Sequence, residues 1–242
     1  MNAHARYMEQ SIWTRELRGY LFERAGLPRA RRVLEVGCGT GAILSQTPES
    51  HAARFGLDVD RAALGEAKLH AENAALTRGD ALQLPYANQS FDIAYCHYLL
   101  LWVQNPRQAL QEMARVSRCV IAFAEPDYSQ RVDAPAALAP LGAWQTESLR
   151  RQGANPAFGG QLAQTFFEAG IKIEEAGEIR PKNEARRLDG LEKEWAAMES
   201  DLRGIFADGE IRQMKDLDAQ ARQKFERVLY VPTFFAWGWS EV

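Results

Sequence analysis

Glycines stand at alternate positions in the run Val33-Leu34-Glu35-Val36-Gly37-Cys38-Gly39-Thr40-Gly41. The short apolar stretch ahead of them reads as a buried strand entering a tight turn. Glycine lets the main chain approach a ligand that side chains would keep away. The first amides of a helix that follows add partial positive charge. Gly37, Gly39 and Ala42 also satisfy the dinucleotide pattern G-x-G-x-x-G/A, and Asp58 could hold a ribose in either case. Glu35 separates the two readings. Beside a pyrophosphate it would set anion against anion, whereas beside a cationic ligand it helps to order the loop.

Further acids follow in register. Asp58 lies in Gly56-Leu57-Asp58-Val59-Asp60, and Asp80 in Gly79-Asp80-Ala81. A carboxylate accepts from two adjacent hydroxyls or from an amine. Taken alone, each acid reads equally as a helix cap or a surface charge. Behind the glycine loop they form a set, joined by Leu84-Pro85 and Ser90-Phe91-Asp92.

From about Val33 to Glu125 this pattern resembles the class I S-adenosylmethionine-dependent methyltransferases, in particular the small-molecule, ubiquinone/menaquinone-methyltransferase-like group with E/D-x-G-x-G-x-G. The resemblance implies S-adenosylmethionine as cofactor and S-adenosylhomocysteine as product. It implies a small-molecule methyl acceptor with an O, N, C or S nucleophile. It assigns Glu35, Gly37, Cys38 and Gly39 to the cofactor loop, Asp58 with Val59 to the ribose, and Asp80 with Ala81 to the adenine. Cys96 falls where the family's main chain meets the methionine portion. Tyr7 and Gln10 belong to a segment similar to the family's lid helix and face the cofactor's carboxylate end, while Trp13 is expected to pack in the core.

Catalytic side chains are less sharply marked. His97, at the end of a strand, is a candidate general base or a structurally hydrogen-bonded histidine. Glu125, in Glu125-Pro126-Asp127-Tyr128, is either a substrate contact or part of a capped turn around Pro126. In-line methyl transfer can proceed by positioning and exclusion of water, and it needs a base only when the nucleophile arrives protonated. Two rival readings remain: a non-catalytic protein binding the same cofactor, and a nicotinamide-dependent oxidoreductase.

These residues need elements to hold them. Strands are expected at Arg54–Val59, Leu76–Gly79, Phe91–Tyr98 and Cys119–Ala124, alternating with helices, which implies a parallel sheet covered on both faces. Asp60 and Asn105-Pro106 are helix starts. A helix is expected to begin over Ala42 to Ser45 and to be closed by Pro48, another is expected around Leu162, Phe166 and Phe167, and a strand at Ile171–Ile179. Two surface helices are expected between Asn183 and Arg227, broken at Ala207-Asp208-Gly209, then a closing strand from Leu229 to Trp237. With the resemblance, the fold class is α/β: a seven-stranded, mostly parallel Rossmann-like methyltransferase sheet with an antiparallel last strand. Residues 1–242 are read as one domain, with a lid helix over 1–28, a cofactor core over 29–128 and a substrate side over 129–242, including a helical insertion over about 183–227.

Composition narrows the setting. A formal charge of -3 argues against nucleic acid as partner. Cys38, Cys96 and Cys119 are far apart and form neither a disulfide framework nor a zinc spacing. No metal is expected. No leader or long apolar span is visible, so a cytoplasmic monomer or homodimer without membrane contact is expected.

Overall fold

The computed structural model describes residues 3–48, 50–179 and 191–241. In chain order it comprises helices α1 (Ala3–Ser11) and α2 (Arg15–Arg24), then strand β1 (Arg32–Val36). β2 (Ala53–Asp58), α3 (Arg61–His70), β3 (Ala74–Arg78), β4 (Phe91–Cys96), α4 (Pro106–Val116) and β5 (Ser117–Pro126) complete the first half. The second half holds β6 (Val132–Ala134), α5 (Pro140–Arg151), α6 (Leu162–Glu168), β7 (Ile171–Ile179), α7 (Leu191–Leu202), α8 (Asp208–Gln223), β8 (Val228–Tyr230) and β9 (Thr233–Ser240).

Seven strands form one sheet in the order β3-β2-β1-β4-β5-β9-β7. β1 to β5 pair in parallel, and β9 runs antiparallel between β5 and β7. The expected α/β architecture with an antiparallel last strand is what the chain adopts. Strand alternation divides the core. Leu34, Val36, Ala94, Cys96, Val120 and Ala122 face α4 and α6. Val33, Ile93, Tyr95, Ile121 and Phe123 face α2, where Phe22 stands edge-on to both Tyr95 and Phe123. Glu35 therefore lies on the α2 side, because it shares the parity of Val33. The chain reverses its winding between β1 and β4, the place where open α/β sheets leave a crevice at their carboxyl edge.

Asp60 caps α3 by accepting from the Ala62 and Ala63 amides, and Asn105 caps α4 through the Gln108 amide. Elsewhere the expectations need correction. The residues after Gly41 form only a 3-10 turn at Leu44–Gln46, cut short by Thr47-Pro48. The opening helix is two helices joined by a 3-10 turn at Ile12–Thr14, closed by left-handed Gly26. The closing strand is divided at Val231-Pro232. Its first piece, β8, pairs with β6 instead, and proline has no N–H to carry a ladder across the break. The two helices expected after Asn183 appear as α7 and α8, but Trp195 between them is 1% exposed and belongs to a core with Leu138 and Leu141 rather than to the surface. Residues 183–190 of that expectation lie outside the described residues.

Candidate active site

At the carboxyl edge of β1, β2 and β3 lies a cleft of about 250 Å³. Gly37, Asp58 and Val59, with Gly79, Asp80 and Ala81, line one side, and Leu82, Leu99, Trp102, Val103 and Gln104 line the other. Gly37, Gly39 and Gly41 all have positive φ, at 73°, 50° and 78°. At Gly37 a second constraint applies: a Cβ there would come within 2.6 Å of Leu99 Cδ1. The glycine loop and the segment after β4 thus pack directly against one another.

Asp58 fixes the loop. Its Oδ2 accepts the Gly39 amide at 2.7 Å, and its Oδ1 accepts the Asp60 amide at 2.8 Å. Each oxygen retains acceptor capacity, since a carboxylate offers about four lone-pair directions. Asp80 Oδ1 accepts the Leu82 amide at 2.9 Å, which holds the next turn at the cleft.

Glu35 does not line the cleft. It is 2% exposed behind the loop, on the face shared with Arg18. Burial holds its carboxyl well above the usual range, against the opposing pull of Arg18 and a backbone hydrogen bond to Leu44. Its Oε2 is buried without a hydrogen-bond partner among the described residues. Arg18 is itself 3% exposed, and burial lowers its pKa to about 10. Its guanidinium donates to the Ser11 carbonyl at 2.7 Å, to Thr14 Oγ1, and to Gln46 Oε1 at 2.7 Å. Gln46 in turn donates to Ser11 Oγ at 2.7 Å and to the Ala42 carbonyl at 2.9 Å. One buried cation therefore joins the turn after α1 to the turn after the glycine loop.

The lid segment lies over the loop. His4 Nδ1 meets Thr40 Oγ1 at 3.0 Å, and its ring stacks on His70 of α3 with centroids 3.4 Å apart. Tyr7 and Gln10 are exposed on α1. Trp13, expected in the core, is 38% exposed and stands edge-on to Tyr98 at the sheet edge.

His97 Nε2 lies 3.1 Å from Thr14 Oγ1. Burial, reinforced by Arg18, pushes its pKa down to about 3, so the ring is neutral at pH 7 and has little proton affinity. Glu125 is fully enclosed: Oε1 accepts the Leu99 and Leu100 amides at 3.0 and 3.1 Å, and Oε2 accepts the Leu101 amide at 3.3 Å. Glu125 thus serves the turn at residues 99–102 rather than a turn around Pro126, and it is Asp127 that caps the turn after Pro126, its oxygens spent on Ser129 and Gln130. Cys38 and Cys96 are buried thiols, both pushed up by burial. Among the described residues no group of three or more His, Cys, Asp or Glu side chains is arranged to hold a metal ion. No helix among them is long and apolar enough to cross a membrane.

Sequence reasoning named Gly37, Asp58, Val59, Asp80 and Ala81 on the cleft. It missed the opposite wall. The signal was present in Leu99-Leu100-Leu101-Trp102-Val103, an apolar run that continues past the end of β4 to the edge where ligands bind.

Residues 34–119 match the family model described as a methyltransferase domain. The chain is 34% identical over 112 residues to the O-methyltransferase resE of Aspergillus sclerotiorum, covering 43% of this chain and 41% of that protein. It is 33% identical over 108 residues to a demethylmenaquinone methyltransferase of Roseiflexus sp., covering 43% and 45%. The chain thus spans less than half the length of these two curated relatives. The solved geranyl diphosphate C-methyltransferase of Streptomyces coelicolor superposes with a TM-score of 0.59 over 93% of this chain and 78% of that one, at 10% identity. Residues 34–119 are thus similar to the methyltransferase-domain family, and the chain adopts the fold of the solved methyltransferase.

Proposed function

We propose that the protein transfers a methyl group from S-adenosylmethionine to a small-molecule nucleophile. The observation that carries this reading is the arrangement of the cleft: Asp58 anchored on the Gly39 amide beside Gly37, Asp80 on the neighbouring strand end, and apolar walls between them. A nucleoside offers two adjacent hydroxyls, an exocyclic amine and a flat ring, and the cleft offers two carboxylates and a slot between Val59 and Leu99. When bound, the cofactor supplies an electrophilic methyl group on a cationic sulfonium.

The roles of the chain's own residues follow from their chemistry. Asp58 accepts the ribose hydroxyls and Asp80 the adenine amine, while Val59, Ala81 and Leu99 cover the ring. The Gly37 and Cys38 amides donate to the Leu57 carbonyl and the Gly39 amide to Asp58, which sets the loop so that its side-chain-free face meets the amino-acid portion, where Cys96 contributes main chain at the end of β4. Glu35 acts from behind, and a positive charge arriving above the loop relieves its buried, half-partnered carboxyl. Tyr7 and Gln10 on α1 meet the carboxylate end. Neither His97 nor Glu125 serves as a general base here, the first for lack of basicity and the second for lack of access. Catalysis then rests on alignment and exclusion of water, and suits a nucleophile that needs no enzyme base.

The names of the relatives, which include O-methyltransferases and a ubiquinone/menaquinone biosynthesis C-methyltransferase, support a small-molecule acceptor and do not separate O from C as the receiving atom. Calorimetric titration with S-adenosylhomocysteine, with NADH as comparison, tests the cofactor. Binding of the first alone supports the reading, and binding of NADH alone replaces it with an oxidoreductase. Labelled methyl transfer to a small-molecule extract tests the activity; cofactor binding without any transfer favours a non-catalytic role.

A further inference from the structure

We infer that Glu125 is the positioning residue of the cofactor cleft, holding the segment after β4 in place as the wall that closes on the adenosine. This inference rests on the cofactor reading above. Glu125 stands at the end of β5, outside the cleft, yet each of its oxygens is committed to the segment that forms the cleft's far side. Leu99, Leu100 and Leu101 present three successive amides to it, and the Trp102 amide returns to the Leu99 carbonyl at 2.9 Å. The segment is thus a single turn with a carboxylate at its amino end, a favourable arrangement for the turn's exposed N–H groups. Leu99, Trp102, Val103 and Gln104 then line the cleft.

The anchor's main chain is tightly packed. A Cβ at Gly159 would stand 2.4 Å from the Glu125 carbonyl, so the main chain on that side is packed to contact. The Tyr98 amide donates to the Ala124 carbonyl at 3.0 Å, which fixes the start of the segment to the same strand. Leu99 carries the constraint onward, since its Cδ1 fills the space a side chain at Gly37 would need. Glu125, the turn and the glycine loop form one chain of contacts. A residue that never touches a ligand sets the width of the slot.

Ionisation supplies a readout specific to this role. Burial raises the Glu125 pKa to about 7, although the three amides pull it down. The titratable side chain coupled to it across β4 is Cys96, which burial keeps a neutral thiol, and His97 does not titrate near pH 7. Since the folded value lies above the ordinary 4.5, the closed segment favours the protonated acid. Opening that wets the carboxyl releases the proton. The wall is therefore tightest below about pH 4.5 and loosens as pH rises from there through 7.

The first experiment needs no ligand. Hydrogen exchange of the wild-type protein at pH 6 and pH 8, corrected for intrinsic rates, should show the Leu99–Leu101 amides less protected at pH 8; equal protection would overturn the tether. The second is calorimetric titration with S-adenosylhomocysteine. Wild type should bind more tightly at pH 6 than at pH 8. Glu125→Ala should lose roughly ten-fold or more in affinity, as the loss of three hydrogen bonds implies, and Glu125→Gln less, because its amide oxygen still accepts two of the three N–H groups. Both variants should lose the pH slope. A folded Glu125→Ala with wild-type affinity, or a slope that survives in it, would refute the proposal. Should neither variant fold, a flat wild-type profile would refute it equally. Failure of the wild type to bind at either pH would instead sink the cofactor reading, with the exchange data still reporting on the tether.

Discussion

Asp58 shows how one side chain serves both fold and ligand. It reaches the Gly39 and Asp60 amides at 2.7 and 2.8 Å, so its geometry is fixed before anything binds. Asp58→Ala is expected to weaken S-adenosylhomocysteine binding by roughly 1.5–3 kcal/mol, the range for hydrogen bonds to a charged group; a folded variant with unchanged affinity in calorimetry would remove Asp58 from the site. His97 makes a prediction of a different kind. Its folded pKa of about 3 lies below the ordinary 6.5, so the native state binds fewer protons than the unfolded chain. Its contribution is intact above pH 6.5 and is lost as pH falls from there toward 3. Chemical denaturation across pH 6.5 to 4 should show a shallower loss of stability for His97→Gln than for wild type, and parallel curves would show that His97 is not buried neutral. These residues could be named from sequence because strand-end acids and glycines keep fixed offsets. Their partners could not. Thr14 meets His97 from 83 positions away, and no local pattern encodes that approach.

At the scale of elements, legibility followed periodicity. β1, β2, β4 and β5 were visible because each is an apolar run bounded by turn residues, and the caps Asp60 and Asn105 marked two helix starts correctly. The expected helix from Ala42 failed because glycine-loop geometry and Pro48 leave room only for a 3-10 turn. α5 went unread, since Leu141, Trp144 and Thr146 sit among small and polar residues with little stripe to notice. The lid segment was read as one helix and is two, with Arg18 of α2 bonded back to the Ser11 carbonyl that ends α1. That bond makes α1 a unit fastened at one end by Arg18 and Gln46 and at the other by His4 on Thr40. Deleting residues through Gln10 removes the His4 contact and leaves the Arg18 fastening in place. This deletion should raise the S-adenosylhomocysteine dissociation rate in stopped-flow measurements while leaving the sheet's circular dichroism unchanged. An unaltered rate would reduce α1 to a packing element.

The whole molecule divides into a sheet with its flanking helices and a cap built from α5, α7, α8 and the β6/β8 ribbon. A buried ionic network fastens the cap together. Asp133 takes Arg131 at 2.7 Å and Arg227 at 2.7 Å, and Asp218 takes Arg222 at 2.9 Å, Arg227, and the Trp195 indole N–H at 3.0 Å. Both aspartates have side chains only 1% exposed. Removing one partner from such a network leaves buried charge uncompensated, so Asp218→Ala should cost about 3–5 kcal/mol. Denaturant unfolding measures that figure, and a loss under 1 kcal/mol would mean the network is not closed to solvent. None of this network could be read from sequence, because its members lie between positions 131 and 227 and each looks like an ordinary surface charge. The order of the sheet also bears on how the chain is made. β9 lies between β5 and β7, yet it is synthesised after both. Until residues 233–240 leave the ribosome, β7 has no neighbour, and β5 shows a bare edge to every other unfinished chain nearby. The nascent polypeptide thus carries an unpaired β7 and an open edge on β5 through the translation of some fifty residues, those between β7 and β9. Those open edges are where unfinished chains would pair with one another, and insertion of β9 between β5 and β7 is what closes them.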